Sequence, residues 1–184
     1  MIGANYFDLD NVSQFTETSV ADTEGHGSHT ASTVAGSAVE GASLYGLGKG
    51  TARGGVPSAR IAVYKVCWSI FCSDMDVLAG FDEAIADGVD FISVSIGSVA
   101  VDFFRDSHAI GAFHAMKKGI LTSCAAGNDG PELSTVENVA PWIMTVAATG
   151  IDRRFATAFK LGNGKKFTVS LSLFLFTFQL LMNG

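Results

Sequence analysis

A histidine held between two glycines is the residue of this chain best suited to moving a proton. The stretch Asp22-Thr23-Glu24-Gly25-His26-Gly27-Ser28-His29-Thr30-Ala31-Ser32-Thr33-Val34-Ala35-Gly36 contains two of the four histidines. Its glycines leave the His26 imidazole approachable at the mouth of a predicted helix. A general base needs that access, since it must come within about 3 Å of the proton it takes. The small residues Ala31, Ala35 and Gly36 predict a helix packed closely against its neighbours, and therefore buried. His26 and His29 also share a helical face, so a metal-dependent hydrolase built on the pair is a competing reading. Neither a His-Glu-x-x-His pattern nor a further Asp, Glu or Cys at a ligand spacing accompanies them. No metal and no cofactor is expected.

Other residue types mark further chemistry. Asn128 lies in Ala125-Ala126-Gly127-Asn128-Asp129-Gly130-Pro131, where an asparagine most often serves a turn. The glycines of residues 40–57 form no phosphate cradle, because neither Gly-x-x-x-x-Gly-Lys-Ser/Thr nor Gly-x-Gly-x-x-Gly after a strand occurs. That segment reads as a long loop. Cys67 and Cys72 are near enough in sequence to bridge a short loop, leaving Cys124 unpaired; a reduced intracellular chain would look the same. Asn11-Val12-Ser13 is a glycosylation sequon, relevant only to a secreted chain.

The elements that position these residues alternate regularly. Strands are predicted at residues 2–7, 59–66, 89–96, 120–125 and 142–148, with residues 8–21 a polar surface loop. One helix follows Ser73, which can cap it; Asp74 and Asp76 suit its positive end, and Gly88 suits its stop. A second spans residues 106–118, with Ile110, Phe113 and Met116 on one side and Lys117 and Lys118 at its negative end. Strands alternating with helices imply βαβ units and a parallel sheet, so the fold class is α/β. The nearly continuous apolar run of residues 89–96 predicts a strand covered on both faces.

At 184 residues the chain suits one domain with a substantial core. Hydrophobic content of 48% and a mean hydropathy of +0.33 exclude a disordered chain. A formal net charge of −6 argues against nucleic acid or an anionic membrane as partner. Met1 to Phe7 carry neither a basic segment nor a long apolar run, so no signal peptide is expected. Residues 169–184 differ in kind from the rest. Their apolar run is short for a membrane span, which needs about 20 residues, so none is expected. We expect residues 1–168 to form one domain and the tail to be non-native, translated from non-coding sequence.

Asp-x-x-Gly-His-Gly-Ser-His-x-Ala-x-x-x-Ala-Gly resembles the histidine motif of the subtilisin-like serine proteases (subtilases, peptidase family S8), with Ser28 where that family usually has threonine. Ala125-Ala126-Gly127-Asn128 resembles its oxyanion-hole segment, and Ser93-Val94-Ser95-Ile96-Gly97 its substrate-pairing strand. Residues 50–60 and 135–142 are similar to the plant branch, the cucumisin-like or xylem serine proteinase group. The resemblance covers residues 2–169 and implies a partial subtilisin-like three-layer fold with a mostly parallel sheet. It implies that His26 is the general base and His29 a structural neighbour, and that Asn128 donates to the oxyanion. Ser95, Ile96 and Gly97 would bind an extended protein or peptide substrate, with Ala125, Ala126 and Gly127 as the facing wall. Cys67 and Cys72 fall where a secreted relative could form a disulfide. Secretion to the cell wall (apoplast) or the vacuole is implied too, from a precursor with a signal peptide and prodomain.

The sequence departs from the family pattern at two catalytic positions. No Asp-Thr/Ser-Gly string precedes His26, and Asp8, Asp10 and Asp22 lack that context; Asp22 reads as ordering the histidine loop. No Gly-Thr-Ser occurs, and Ser95 is not in a Gly-x-Ser-x-Gly elbow because position 93 is serine. The protease-associated insertion expected after Lys166 is missing as well. The expectation is a serine endopeptidase portion that is inactive by itself. The alternative is a non-catalytic peptide-binding remnant or degenerate copy.

Overall fold

The computed structural model of the chain describes residues 1–11, 13, 18–69, 71–97, 99, 101–151 and 156–170. They belong to two compact units, Met1–Ala147 and Ala148–Gly184. The first contains β1 (Gly3–Tyr6), α1 (His26–Ala35), β2 (Val39–Leu44), β3 (Leu47–Ala52), β4 (Ala62–Lys65), β5 (Cys67–Trp68), β6 (Phe71–Cys72), α2 (Asp74–Ala86), β7 (Phe91–Val94), α3 (Ser107–Lys117), β8 (Leu121–Ala125) and β9 (Ile143–Val146). The second contains the antiparallel pair β10 (Ala156–Lys160) and β11 (Lys166–Ser170), with Phe159 stacked on Phe167 at 5.5 Å. The strand β11 includes Val169 and Ser170; the remainder of the expected tail, residues 171–184, lies outside the described residues.

The parallel pairings follow the predicted alternation. In one sheet β7, β8 and β9 run parallel in that order, with Phe91 opposite Leu121 and Thr122 opposite Ile143. In another β1 pairs parallel with β4. The two long helices are capped as their sequences require. Ser73 Oγ accepts from Met75 N–H at 3.3 Å, and Asp106 Oδ1 accepts from His108 N–H at 2.9 Å. Gly88 and Gly119, with φ of 68° and 79°, turn the chain out of each helix where a side chain would be strained.

The core lies where α2 and α3 pack against the β7–β9 sheet. Val77 and Phe81 from α2 and Ala112 from α3 are buried together, packed by Val66, Ile92, Val94, Ile96, Trp142 and Ile143. The helices approach closely at Gly111, where a Cβ would collide with Phe81 Cγ. That contact corrects the expected face of α3. Ala109, Gly111, Ala112 and Ala115 are buried, whereas Phe113 and Met116 are partly exposed, because the small residues let Phe81 in. Phe113 packs instead edge-on against Trp142 at 5.2 Å, and Trp142 Nε1 donates to Ala109 O.

Three other expectations are corrected. No residue of α1 is buried. Its small residues serve one backbone contact rather than a core: Gly54, Gly55 and Val56 N–H donate to Gly36, Thr33 and Val34 carbonyls, and a Cβ on Gly54 would sit 2.7 Å from Ala35 N. The glycine-rich segment is a hairpin, β2–β3, turned at Tyr45-Gly46 with φ of 50° and 87°. Both positive angles match a two-residue hairpin turn, and a ribbon exposed on both faces shows no hydrophobic alternation. Finally, β7 is covered on one face only, since Phe91 and Ser93 are exposed while Ile92 and Val94 face the core. Among the described residues, no helix is long and apolar enough to cross a membrane.

One buried titratable group has a measurable consequence. His108 in α3 is buried with neither ring nitrogen hydrogen-bonded, although Nδ1 lies 3.4 Å from Asp106 Oδ1. Burial lowers its pKa against the opposing pull of Asp106, Asp74 and Glu137. Above pH about 6.5 neither folded nor unfolded His108 holds the extra proton. Below that, the unfolded chain takes it up first, so stability falls with pH down to the lowered folded value. Thermal midpoints taken from pH 7.5 to 5 should therefore drop less in His108→Gln than in the parent. Parallel curves would refute the role of burial.

Candidate functional site

The parallel register brings the ends of β7 and β8 side by side, with Val94 opposite Cys124. The residues that follow, Ser95-Ile96-Gly97 and Ala125-Ala126-Gly127, thus leave the sheet together at its carboxyl edge, where α/β folds place binding groups. Ile96 packs into the core cluster, while Ser95 and Gly97 are exposed. Asn138 joins the two segments from beneath. Its Nδ2 donates to Ile96 O at 3.0 Å and to Ala125 O at 2.8 Å, tying the two segments together. Asn138 is buried and has φ of 53°, a left-handed conformation asparagine tolerates better than most residues. The preceding residue, Glu137, donates its N–H to Ala126 O at 3.0 Å.

Asn128 follows directly on this floor. Gly127, with φ of 81°, turns the chain, and Asn128 is exposed with no side-chain hydrogen bond to a described residue. An amide donor in that state can be offered to a ligand oxygen. Cys124 beside it is no nucleophile: burial pushes its thiol up to about 12, so it stays protonated near neutrality.

The histidine motif is a loop organised by one carboxylate. Asp22 Oδ1 accepts from Gly25 and Glu24 N–H, and Oδ2 from the Ser28 N–H and hydroxyl, at 2.7–3.0 Å. The Gly25 bond foremost, then those from Ser28, holds the Asp22 carboxyl far below the usual carboxylate range. With both oxygens doubly used, Asp22 orders the loop, as the sequence suggests. Lys65 Nζ anchors the approach by donating to Ala21 O at 2.8 Å and Ser19 O at 3.2 Å. Gly25, with φ of 104°, then starts α1, and both His26 and His29 are exposed on its first turn. His26 shares no hydrogen bond with the β7–β8 residues. Among the described residues, no group of three or more His, Cys, Asp or Glu is arranged to hold a metal ion.

Two of the remaining candidates have definite surroundings. Cys67 and Cys72 face each other across the β5–β6 ladder with sulfurs bonded at 1.98 Å. Asn11 is exposed, with φ of 53°, and the hydroxyl of Ser13 bonds to Asp8. Sequence reasoning did not single out Asn138 or Glu137. Their signal was a polar pair inside an otherwise apolar run, Val136-Glu137-Asn138-Val139-Ala140.

Comparison with known proteins bears on this arrangement. The profile of the subtilase family matches residues 3–172. Two Arabidopsis thaliana proteins, subtilisin-like proteases SBT4.15 and SBT4.14, are 61% and 58% identical over 89% and 95% of the chain. The chain spans only 22% and 24% of their lengths. Among solved structures, sphericase is similar with a TM-score of 0.53 and 26% identity, over 84% of this chain and 47% of that one. The S41 psychrophilic protease is similar with a TM-score of 0.54 and 25% identity, over 85% and 47%.

Proposed function

The chain belongs to the subtilase family, and we propose that it supplies the general base, oxyanion donor and substrate groove of a serine endopeptidase. An extended protein or peptide segment lies along Ser95-Ile96-Gly97 as an added strand, where main-chain bonds give affinity and the facing wall, Ala125-Ala126-Gly127, limits the side chain. His26 takes the proton of a serine nucleophile and returns it to the leaving amine; Asn128 donates to the oxygen of the tetrahedral intermediate. The observation that carries this reading is the exposed, uncommitted Asn128 placed directly after a wall that Asn138 fixes to its neighbour. The Cys67–Cys72 bridge supports an oxidising compartment, cell wall or vacuole, in which Asn11 would be a glycan acceptor.

Catalysis by these 184 residues alone is not expected. They contain no Gly-Thr-Ser string and no Asp-Thr/Ser-Gly string before His26, so the nucleophile and the carboxylate orienting His26 must come from further sequence. The chain should show no specific labelling by a fluorophosphonate; labelling abolished by His26→Ala would overturn that. Joined to a serine in a longer form, Asn128→Ala should lower kcat about 10²–10³-fold. His26→Ala should lower it on the order of 10⁶-fold. A second reading, a peptide-binding module without turnover, is favoured by the completeness of the two walls and of the Asn138 bridge within this chain. Tight peptide binding without cleavage would separate it from the first.

A further inference from the structure

The two walls of the groove meet over a carboxylate. A Cβ added to Gly127 would lie 2.6 Å from Glu137 Cδ, and one added to Gly97 would collide with Glu137 Oε2. The Glu137 carboxylate therefore fills the space between the walls, held there by the Glu137 N–H bond to Ala126 O and by the Asn138 bridge behind it. Glycine on both sides is what makes room for it. Its Oε2 is buried and accepts no hydrogen bond. Among the described residues no lysine or arginine pairs with it, since the one ion pair is His108 with Asp106. Nor does His108 bond to it, since neither of its ring nitrogens has a hydrogen-bond partner.

A carboxylate oxygen withdrawn from water without a donor is costly, and the cost is relieved by whatever brings N–H groups to it. Ser95 and Gly97 are exposed and the carboxylate lies directly against Gly97, next to residues that a ligand can reach. We propose that Glu137 makes this groove selective for a cationic side chain, lysine or arginine, at the substrate position that enters between Gly97 and Gly127. This rests on the groove reading above and specifies its substrate class. Arginine fits best, because its planar fork can donate twice to one carboxylate. Apolar side chains leave the buried oxygen unpaired, and neutral donors such as a ureido group bond it without the opposite charge, so the selection is by charge and hydrogen bonding together.

The test uses the 184-residue chain and fluorescein-labelled, end-capped alanine pentapeptides carrying arginine, citrulline or leucine at the fourth position. Citrulline keeps the shape of arginine without its charge, so the unmodified protein decides the question. Fluorescence polarisation should show the arginine peptide binding at least about tenfold more tightly than the other two. Glu137→Gln should abolish the difference. A fourth peptide, with arginine moved to the first position, controls for general attraction to a chain of net charge −6 and should bind no better than citrulline. Equal binding of arginine and citrulline peptides, or of the two arginine peptides, overturns the role of Glu137 and leaves the groove standing. Binding of none of the peptides overturns both.

Discussion

Replacing Phe81 with alanine should cost the chain roughly 3–5 kcal/mol of unfolding free energy. Phe81 is buried on α2, sits in the core cluster with Val77 and Ala112, and fills the hollow that Gly111 opens in α3. Alanine would leave that hollow empty, and the surrounding backbone cannot collapse into it while β7 and β8 hold Ile92 and Val94 in register. Domains of this size lose about 2–4 °C of midpoint per kcal/mol, so the expected drop in Tm is roughly 6–20 °C. A urea titration should show the midpoint falling with the slope unchanged. The complementary change, Gly111→Val, attacks the same contact by overfilling it and should cost about 1–3 kcal/mol or more. If both variants unfold within 0.5 kcal/mol of the parent, roughly the noise of an inconsequential surface change, the packing of α2 on α3 is misassigned.

That contact also explains what the sequence made legible and what it hid. The existence and order of the βαβ elements could be read because each boundary has a local cause: Ser73 and Asp106 cap helices, and Gly88 and Gly119 end them. Orientation was harder. The apolar stripe of Ile110, Phe113 and Met116 looks like the core face of α3, yet the buried face is Ala109, Gly111, Ala112 and Ala115. The bulk comes from the partner helix, and a single sequence does not say which of two helices supplies it. The same ambiguity applies to α1, where small residues permit close approach without specifying burial. There the approaching group is the backbone of residues 54–56 rather than a sheet.

The candidate site divides along the same line. Residues 95–97 and 125–128 could be found through their resemblance to the substrate strand and oxyanion segment of the subtilases, and parallel pairing of β7 with β8 brings those strand ends together. The residues beneath them came from a connection that reads as an undistinguished loop. Asn138 and Glu137 are 13 and 12 positions from Ala125, and no local periodicity links them to it. Their roles depend on a long-range fact: the connection between β8 and β9 returns to the two strand ends, where Asn138 bonds both Ile96 O and Ala125 O. Thr145 in β9 fixes that connection by donating its hydroxyl to Asn138 O.

Asn138→Ala should therefore damage stability and binding together. The substitution removes both side-chain bonds, to Ile96 O and to Ala125 O, from a buried residue. Each carbonyl left without its donor costs about 1–3 kcal/mol, and alanine at a φ of 53° adds roughly 1–2 kcal/mol of backbone strain. The total expected loss is roughly 3–8 kcal/mol, a large share of the 5–15 kcal/mol typical of a folded domain. Asn138→Gly separates the causes, since glycine accepts the left-handed conformation while still losing both bonds; it should fall between the parent and alanine. Asn138→Asp keeps the shape but turns an acceptor toward two carbonyls, so it should be no better than alanine. Chemical denaturation of the three variants gives the order directly. If alanine and glycine are equally destabilised, the positive φ contributes nothing. If glycine matches the parent, the bridge between the walls is not what holds them, and the geometry proposed for Asn128 and Glu137 loses its foundation.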